Sequence, residues 1–361
     1  MTNINQNIKS YLDDNISIAS IVFFRIAFGL LIPLEIIHYT FQLPFMEWYY
    51  LDTTFHLKYP GFEWVPNLNP SGIKVLLAVI GISYLFIALG FLYRIATIVG
   101  FIAFTFLFFM ERASSLNHWY LISILTFLMI WIPANRSFSL DTYLRFVKKS
   151  NAIPRWCLFI ILLQTAILYS YSGIAKINTE WLNGAVMQIQ IGERIGNITP
   201  FLKQVILSNS FVFFISIATV ILELFAPILL FWRKTRVLTI LLLCAFHLLN
   251  FRLFNIGYFP FLGIILTLLF LHPSWPILLL KNFGIENRNT NLQREFPSIF
   301  YKKWLVSLLV FHFVFQFVFP LRHYLYQRDT LWSEEGELFS WRMFTACLLY
   351  TSDAADEAKC V

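Results

Sequence analysis

Lys176, His118, His247, Asn117, Asn250, Arg322 and His323 are the side chains best equipped for chemistry, and each stands at or near the end of a long apolar run. Lys176 closes Ser172-Gly173-Ile174-Ala175-Lys176 and precedes Asn178-Thr179-Glu180-Trp181. A lysine held in a water-poor pocket has its ammonium form disfavoured and can serve as a base. A lysine at a helix end can equally snorkel into lipid headgroups. His118, in Asn117-His118-Trp119-Tyr120, and His247, three residues before Asn250, are singletons. For each, a hydrogen-bonding core histidine is the ordinary reading. They form no HExxH pair, and the 4 Cys lack paired spacing, so no metal site is expected. A nucleophile elbow and a phosphate-cradling glycine loop are both missing.

The elements that must position these groups follow from composition. Of 361 residues, 58% are hydrophobic, 19% aromatic and only 13% charged, against about 25% charged in soluble domains. A water-soluble globule could not hide that much apolar surface. A soluble enzyme, a disordered chain and a disulfide scaffold are therefore excluded, leaving an all-α polytopic membrane bundle. Nine apolar runs read as spanning helices, at 16–38, 73–92, 95–110, 119–133, 155–174, 210–232, 236–251, 256–271 and 304–320. Three of them are short for a full span. The net charge of +7 reports orientation rather than nucleic-acid binding. Basic residues crowd into Arg136–Arg155, Arg233–Arg236 and Lys281–Lys303, which the positive-inside rule places in the cytoplasm. An N-in, C-out topology results.

In that topology the loop 39–71, rich in Tyr, Trp, Phe and Pro, lies outside as a structured cap or a simple interfacial belt. Four runs then deliver His118, Lys176, His247 with Asn250, and Arg322 with His323 to one leaflet, which points to an extracytoplasmic site. Ionisable residues within spans cost at least about 2.5 kcal/mol, so Arg25, Glu35 and Glu223 need reasons. A structural polar lock between helices and a substrate role both remain open for them. Arg25 and Glu35 are about 15 Å apart along one helix and can meet only through a partner.

The stretch Phe246-His247-Leu248-Leu249-Asn250-Phe251-Arg252-Leu253-Phe254-Asn255-Ile256-Gly257 resembles the HxxNxxLFxIG segment of vitamin K-dependent gamma-glutamyl carboxylases. So do Pro320-Leu321-Arg322-His323-Tyr324, Trp332-Ser333-Glu334-Glu335-Gly336 and Phe339-Ser340-Trp341-Arg342-Met343. Tyr93-Arg94-Ile95, Asn117-His118, Ser139-Leu140-Asp141 and Gly173-Ile174-Ala175-Lys176-Ile177-Asn178 with Trp181 are similar to further family segments. The similarity runs in consistent order from Phe24 to Phe344 and is nearest to the bacterial-type HTTM (horizontally transferred transmembrane) branch.

The resemblance implies an integral membrane enzyme with its active face outside the cytoplasm, in a bacterial inner membrane or the endoplasmic reticulum. It would couple oxidation of reduced vitamin K by O2 to removal of a glutamyl γ-proton and addition of CO2. Its partners would be a glutamyl peptide or protein and the lipid bilayer, without nucleic acid. Lys176 occupies the position of the family's catalytic lysine, Asn117 and His118 that of its quinone-side pair, with His247 and Asn250 in support. Arg322, His323, Ser340 and Trp341 fall in segments tied to the glutamyl substrate. Two departures stand out. One lysine is present where the family often has two, and the large extracytoplasmic domain after Met343 is not in the chain. Residues 347–361 look like one reading frame of a sequencing adapter, so the expected organisation is a polar segment 1–15, a membrane domain 16–346 and a foreign tail, the whole being a truncated product. The alternative function is a non-carboxylating HTTM protein with a quinone-binding or peptide-immunity role. A transporter would show inverted repeats or broken helices, and neither is visible.

Overall fold

The computed structural model describes residues 2–42, 45–53, 55–194, 196, 199–254, 256–282, 296, 298–326 and 336–343. Its helices in chain order are α1 (Thr2–Asp13), α2 (Ala19–Ile37), α3 (Pro70–Leu89), α4 (Tyr93–Met110), α5 (Asn117–Trp131), α6 (Leu140–Tyr143), α7 (Trp156–Ala175) and α8 (Thr179–Leu182). They continue with α9 (Ala185–Arg194), α10 (Pro200–Ile206), α11 (Asn209–Phe231), α12 (Arg236–Leu253), α13 (Phe259–Leu268), α14 (Trp275–Asn282) and α15 (Lys303–Val318). The one small sheet among the described residues pairs β1 (Asn15–Ser17) antiparallel with β2 (Ala152–Pro154). The protein is a mostly helical polytopic membrane protein of the all-α class.

All nine expected runs contain a helix, but among the described residues seven helical segments are long and apolar enough to cross a membrane. The exceptions are α5, with 15 residues, and α13, with 10. At 1.5 Å per residue these reach roughly 22 Å and 15 Å, short of a hydrocarbon core about 30 Å thick. Helix α5 is apolar all round and buried along most of its length, as a helix enclosed by other helices must be.

The chain divides into two units, residues 1–163 with 257–309, and residues 164–256 with 310–361. In the first, α2 to α5 pack in succession and α13 and α14 lie against α2. Helix ends here are written locally. Asn69 accepts the Gly72 amide with Pro70 in the first turn, and Gly90 closes α3 with φ +62°, the conformation glycine adopts without penalty. The loop after α2 forms two π-helical turns, His38–Gln42 and Glu47–Leu51. Tyr39, Tyr50 and Tyr59 are buried while Phe41, Trp48 and Trp64 are exposed. The buried carboxylate of Glu111 holds this loop down, accepting from His56 Nδ1 at 2.9 Å and the Leu57 amide at 3.2 Å. In the second unit, α11 packs against α12 and against the short helices α8 to α10. Trp181, Val186, Met187, Ile191, Val212 and Val220 form its core.

Among the described residues Arg25 hydrogen-bonds to no acid. Its guanidinium, fully buried, donates to the carbonyls of Ala134 (2.8 Å), Ser137 (3.1 Å) and Phe138. Beside it Asp141 accepts the amides of Leu92 (2.7 Å) and Tyr93 (3.1 Å) and the Asn135 side chain (2.7 Å). The two charged groups thus satisfy the backbone where α3 turns into α4 and α5 turns into α6. This accounts for the motif residues Tyr93 and Asp141. Arg25→Leu leaves three buried carbonyls without a donor and is expected to cost about 3 kcal/mol or more. The check is thermal unfolding in lipid nanodiscs, where an unchanged melting temperature would contradict the lock.

Candidate functional site

The second unit brings Lys176 to an acid. Tyr169, Ser172 and Lys176 are spaced i, i+3 and i+7, so one stripe of α7 and its C-terminal end presents all three. Lys176 Nζ donates to Glu223 Oε2 of α11 at 2.6 Å and to Ser172 Oγ at 2.7 Å. Ser172 Oγ in turn donates to the same Glu223 oxygen at 2.9 Å. Lys176 is 3% exposed and Glu223 5%, and the Trp181 ring lies 5.3 Å from the amine. This triangle replaces the expectation of a lone desolvated lysine with a buried, hydrogen-bonded pair whose proton has two possible owners. It also gives Glu223 a partner.

Small residues make the contact possible. A Cβ on Gly173 would lie 2.6 Å from the Leu224 nitrogen and 2.8 Å from its Cα. Only glycine lets α7 and α11 close to this distance, the device membrane helices use to approach. Asn178 starts α8 by accepting the Trp181 amide at 3.0 Å. Ser216 of α11 donates to the Trp181 carbonyl. The turn after Lys176 is thereby tied back to α11.

Two turns below Lys176 on α7, Tyr169 Oη meets His247 Nε2 at 2.7 Å. His247 is buried, and its Nδ1 has no hydrogen-bond partner among the described residues. Asn250, one turn further along α12, is half-buried. Arg322 and His323 gather around the turn that follows α15. Arg322 donates to the carbonyls of Phe319 (3.1 Å) and Leu338, and His323 Nδ1 pairs with the Pro320 carbonyl at 2.8 Å. Ser340 donates to the Glu337 carbonyl, and Trp341 is fully buried at φ +60°. Arg322 thus ties 319–325 to 336–343, while the His323 and Ser340 bonds each stay within their own segment. The motif 332–335 and the tail 347–361 lie outside the described residues.

The first unit holds a second polar cluster. His118, in the first turn of α5, meets Glu35 of α2 at 3.0 Å through Nε2 and Tyr39 Oη at 3.5 Å. Its ring stacks on Phe259 at 5.3 Å. The other Glu35 oxygen accepts the Tyr258 amide at 2.6 Å. Asn117 opens α5 and is half-buried.

Sequence reasoning named both bases and both acids without pairing them. It gave no role to Ser172, Tyr169, Tyr39 or Gly173. The i, i+4 spacing of Ser172 and Lys176 was the available signal. The residues described as an HTTM domain are 14–275, matched by that family model. Residues 301–350 match the model described as vitamin K-dependent gamma-carboxylase, lumenal domain. No solved structure matches the chain.

Removing one member of the buried pair strands the other, so Lys176→Met and Glu223→Leu are each expected to destabilise by about 3–5 kcal/mol, and the double variant to recover most of that loss. Gly173→Leu should destabilise as the single variants do, whereas Gly81→Leu, where an added Cβ meets nothing within 4 Å, should not. Additive losses in the double variant would argue against the contact.

Proposed function

The chain belongs to the HTTM domain family, and from that premise we propose that it is a vitamin K-dependent gamma-carboxylase-like membrane enzyme acting on a glutamyl peptide or protein. The observation that carries this reading is the buried Lys176–Ser172–Glu223 triangle, in a chain with a carboxylase lumenal-domain match. When bound with O2, reduced vitamin K supplies the strong base that takes a glutamyl γ-proton, after which CO2 adds to the carbon.

The residues present fit a quinol. It offers phenolic hydroxyls, which both donate and accept, on an apolar ring. The Nδ1 of buried His247, without a partner among the described residues, is a hydrogen-bonding atom open to one in an apolar setting. Lys176 and Glu223 handle the proton between them. As an ammonium–carboxylate pair the amine cannot accept a proton. Transfer across 2.6 Å from Nζ to Oε2 frees the amine, and little charge is then left in a medium that penalises it. Ser172 Oγ, bonded to both groups, keeps them aligned through the transfer, and Trp181 covers the amine. Tyr169 holds the His247 ring through Nε2, leaving Nδ1 to face a ligand hydroxyl. On this reading the N-terminus is cytoplasmic, the active face is extracytoplasmic, and the resemblance gives His118 and Asn117 a supporting role.

Vesicles containing the full chain, given reduced vitamin K and O2, are expected to form the epoxide. Lys176→Ala should lower the rate at least about 100-fold, the usual range for loss of a general base. Lys176→Arg should fail equally, because a guanidinium does not surrender its proton. Unchanged epoxide formation in both variants would remove the lysine from the mechanism. Quinol binding without epoxide formation by the wild type would favour a non-carboxylating role.

A further inference from the structure

Glu35 is an acid 17 residues into an apolar helix, and the fold surrounds its carboxylate with features that only a carboxylate explains. One oxygen accepts the Tyr258 amide at 2.6 Å and the other meets His118 Nε2 at 3.0 Å. Gly257 stands against both: a Cβ there would lie 2.9 Å from each carboxylate oxygen and 3.0 Å from Tyr39 Oη. Its φ of +59° is also a conformation that side chains disfavour. The position thus excludes a side chain twice over, on backbone and on space, and the space it leaves is filled by Glu35.

We propose that Glu35 is a positioning residue that holds His118 with a permanent proton on Nε2, so that Nδ1 is the only ring atom that exchanges a proton. The Tyr258 amide donates to one Glu35 oxygen, which favours the ionised form. An ionised carboxylate accepts and cannot donate, and opposite it at 3.0 Å the hydrogen belongs on Nε2. Orientation of an imidazole through one nitrogen, leaving the other for chemistry, is how carboxylate–histidine pairs work elsewhere. The Tyr258 amide fixes the carboxylate by a backbone bond that no side-chain rotation can break. Phe259, the next residue, stacks on the imidazole. Gly257, Tyr258 and Phe259 therefore clear space for the acid, bind it and pack the base. The titratable groups facing the pair are Tyr39, 3.5 Å from Nε2, and His38, whose ring centroid is 5.5 Å from Tyr39 and 5.4 Å from Tyr258. The use of His118 Nδ1 to receive a proton in the reaction rests on the carboxylase-like reading. The Glu35–His118 arrangement does not.

Solid-state NMR of the full chain, labelled with 15N-histidine and reconstituted in lipid, separates the two. His118 is assigned by the signal lost in His118→Gln. Its Nε2 is expected to remain protonated across the pH range while Nδ1 alone titrates. Glu35→Gln, whose amide both donates and accepts, and Gly257→Ala, which displaces the carboxylate, are each expected to mix the tautomers. They should also lower kcat about 100-fold with little change in the KM for quinol, and move the pH profile of turnover. A wild-type spectrum in which Nε2 loses its proton overturns the proposal without any variant, and so does a His118 spectrum unchanged in folded Glu35→Gln and Gly257→Ala. If the tautomer is as expected but no epoxide forms, the pairing stands and the carboxylase-like reading falls.

Discussion

Two ions drawn out of water into a helical bundle each cost several kcal/mol unless they meet, and Lys176 and Glu223 meet at 2.6 Å. Much of the second unit is shaped to permit that meeting. Gly173 removes the side chain that would hold α7 away from α11, and Ser172 Oγ bonds to both groups. The Asn178 cap turns the chain so that Trp181 covers the amine. A polar pair in an apolar bundle is weak evidence for stability, since hydrophobic replacements are often as good. A hydrophobic pair could not exchange a proton, which is the role proposed for this one.

The same rule governs the first unit with different solutions. Arg25 spends its hydrogen bonds on backbone carbonyls at helix ends, with the Asp141 charge beside it. Glu35 takes an imidazole and a backbone amide. Asp141 takes two amides and a side-chain amide. Arg25 and Asp141 spend all their bonds on turns and hold the helices in register. Glu35 spends one on a histidine, a group that can exchange a proton.

Much of this was legible in the sequence. Apolar runs announced nine helices, and Lys176 and His118 were conspicuous as basic groups at run ends. The count of full-length spans was not legible, because an apolar run does not reveal where the helix inside it stops, and α13 is shorter than its run. Partners were not legible either: Glu223 lies 47 residues from Lys176, and Glu35 83 from His118. Nothing local links such positions. Gly257 stood in the quoted motif without a reason until the Glu35 carboxylate was placed against it. Arg322, His323, Ser340 and Trp341 emerged from the sequence as substrate-side residues. In the structure Arg322 bonds across from one segment to the other, while His323 and Ser340 bond within their own turns and Trp341 is buried.

The account's central claim is carbon–carbon bond formation on a glutamyl side chain. Vesicles holding the full chain, supplied with reduced vitamin K, O2, labelled CO2 and the blocked peptide acetyl-Ala-Glu-Glu-Ala-amide, test it by mass spectrometry of the peptide. The claim requires labelled carboxylate on the glutamyl γ-carbon, appearing in step with quinone epoxide. Epoxide accumulating while the peptide stays unlabelled would contradict it, and would leave a quinol-oxidising HTTM protein in its place.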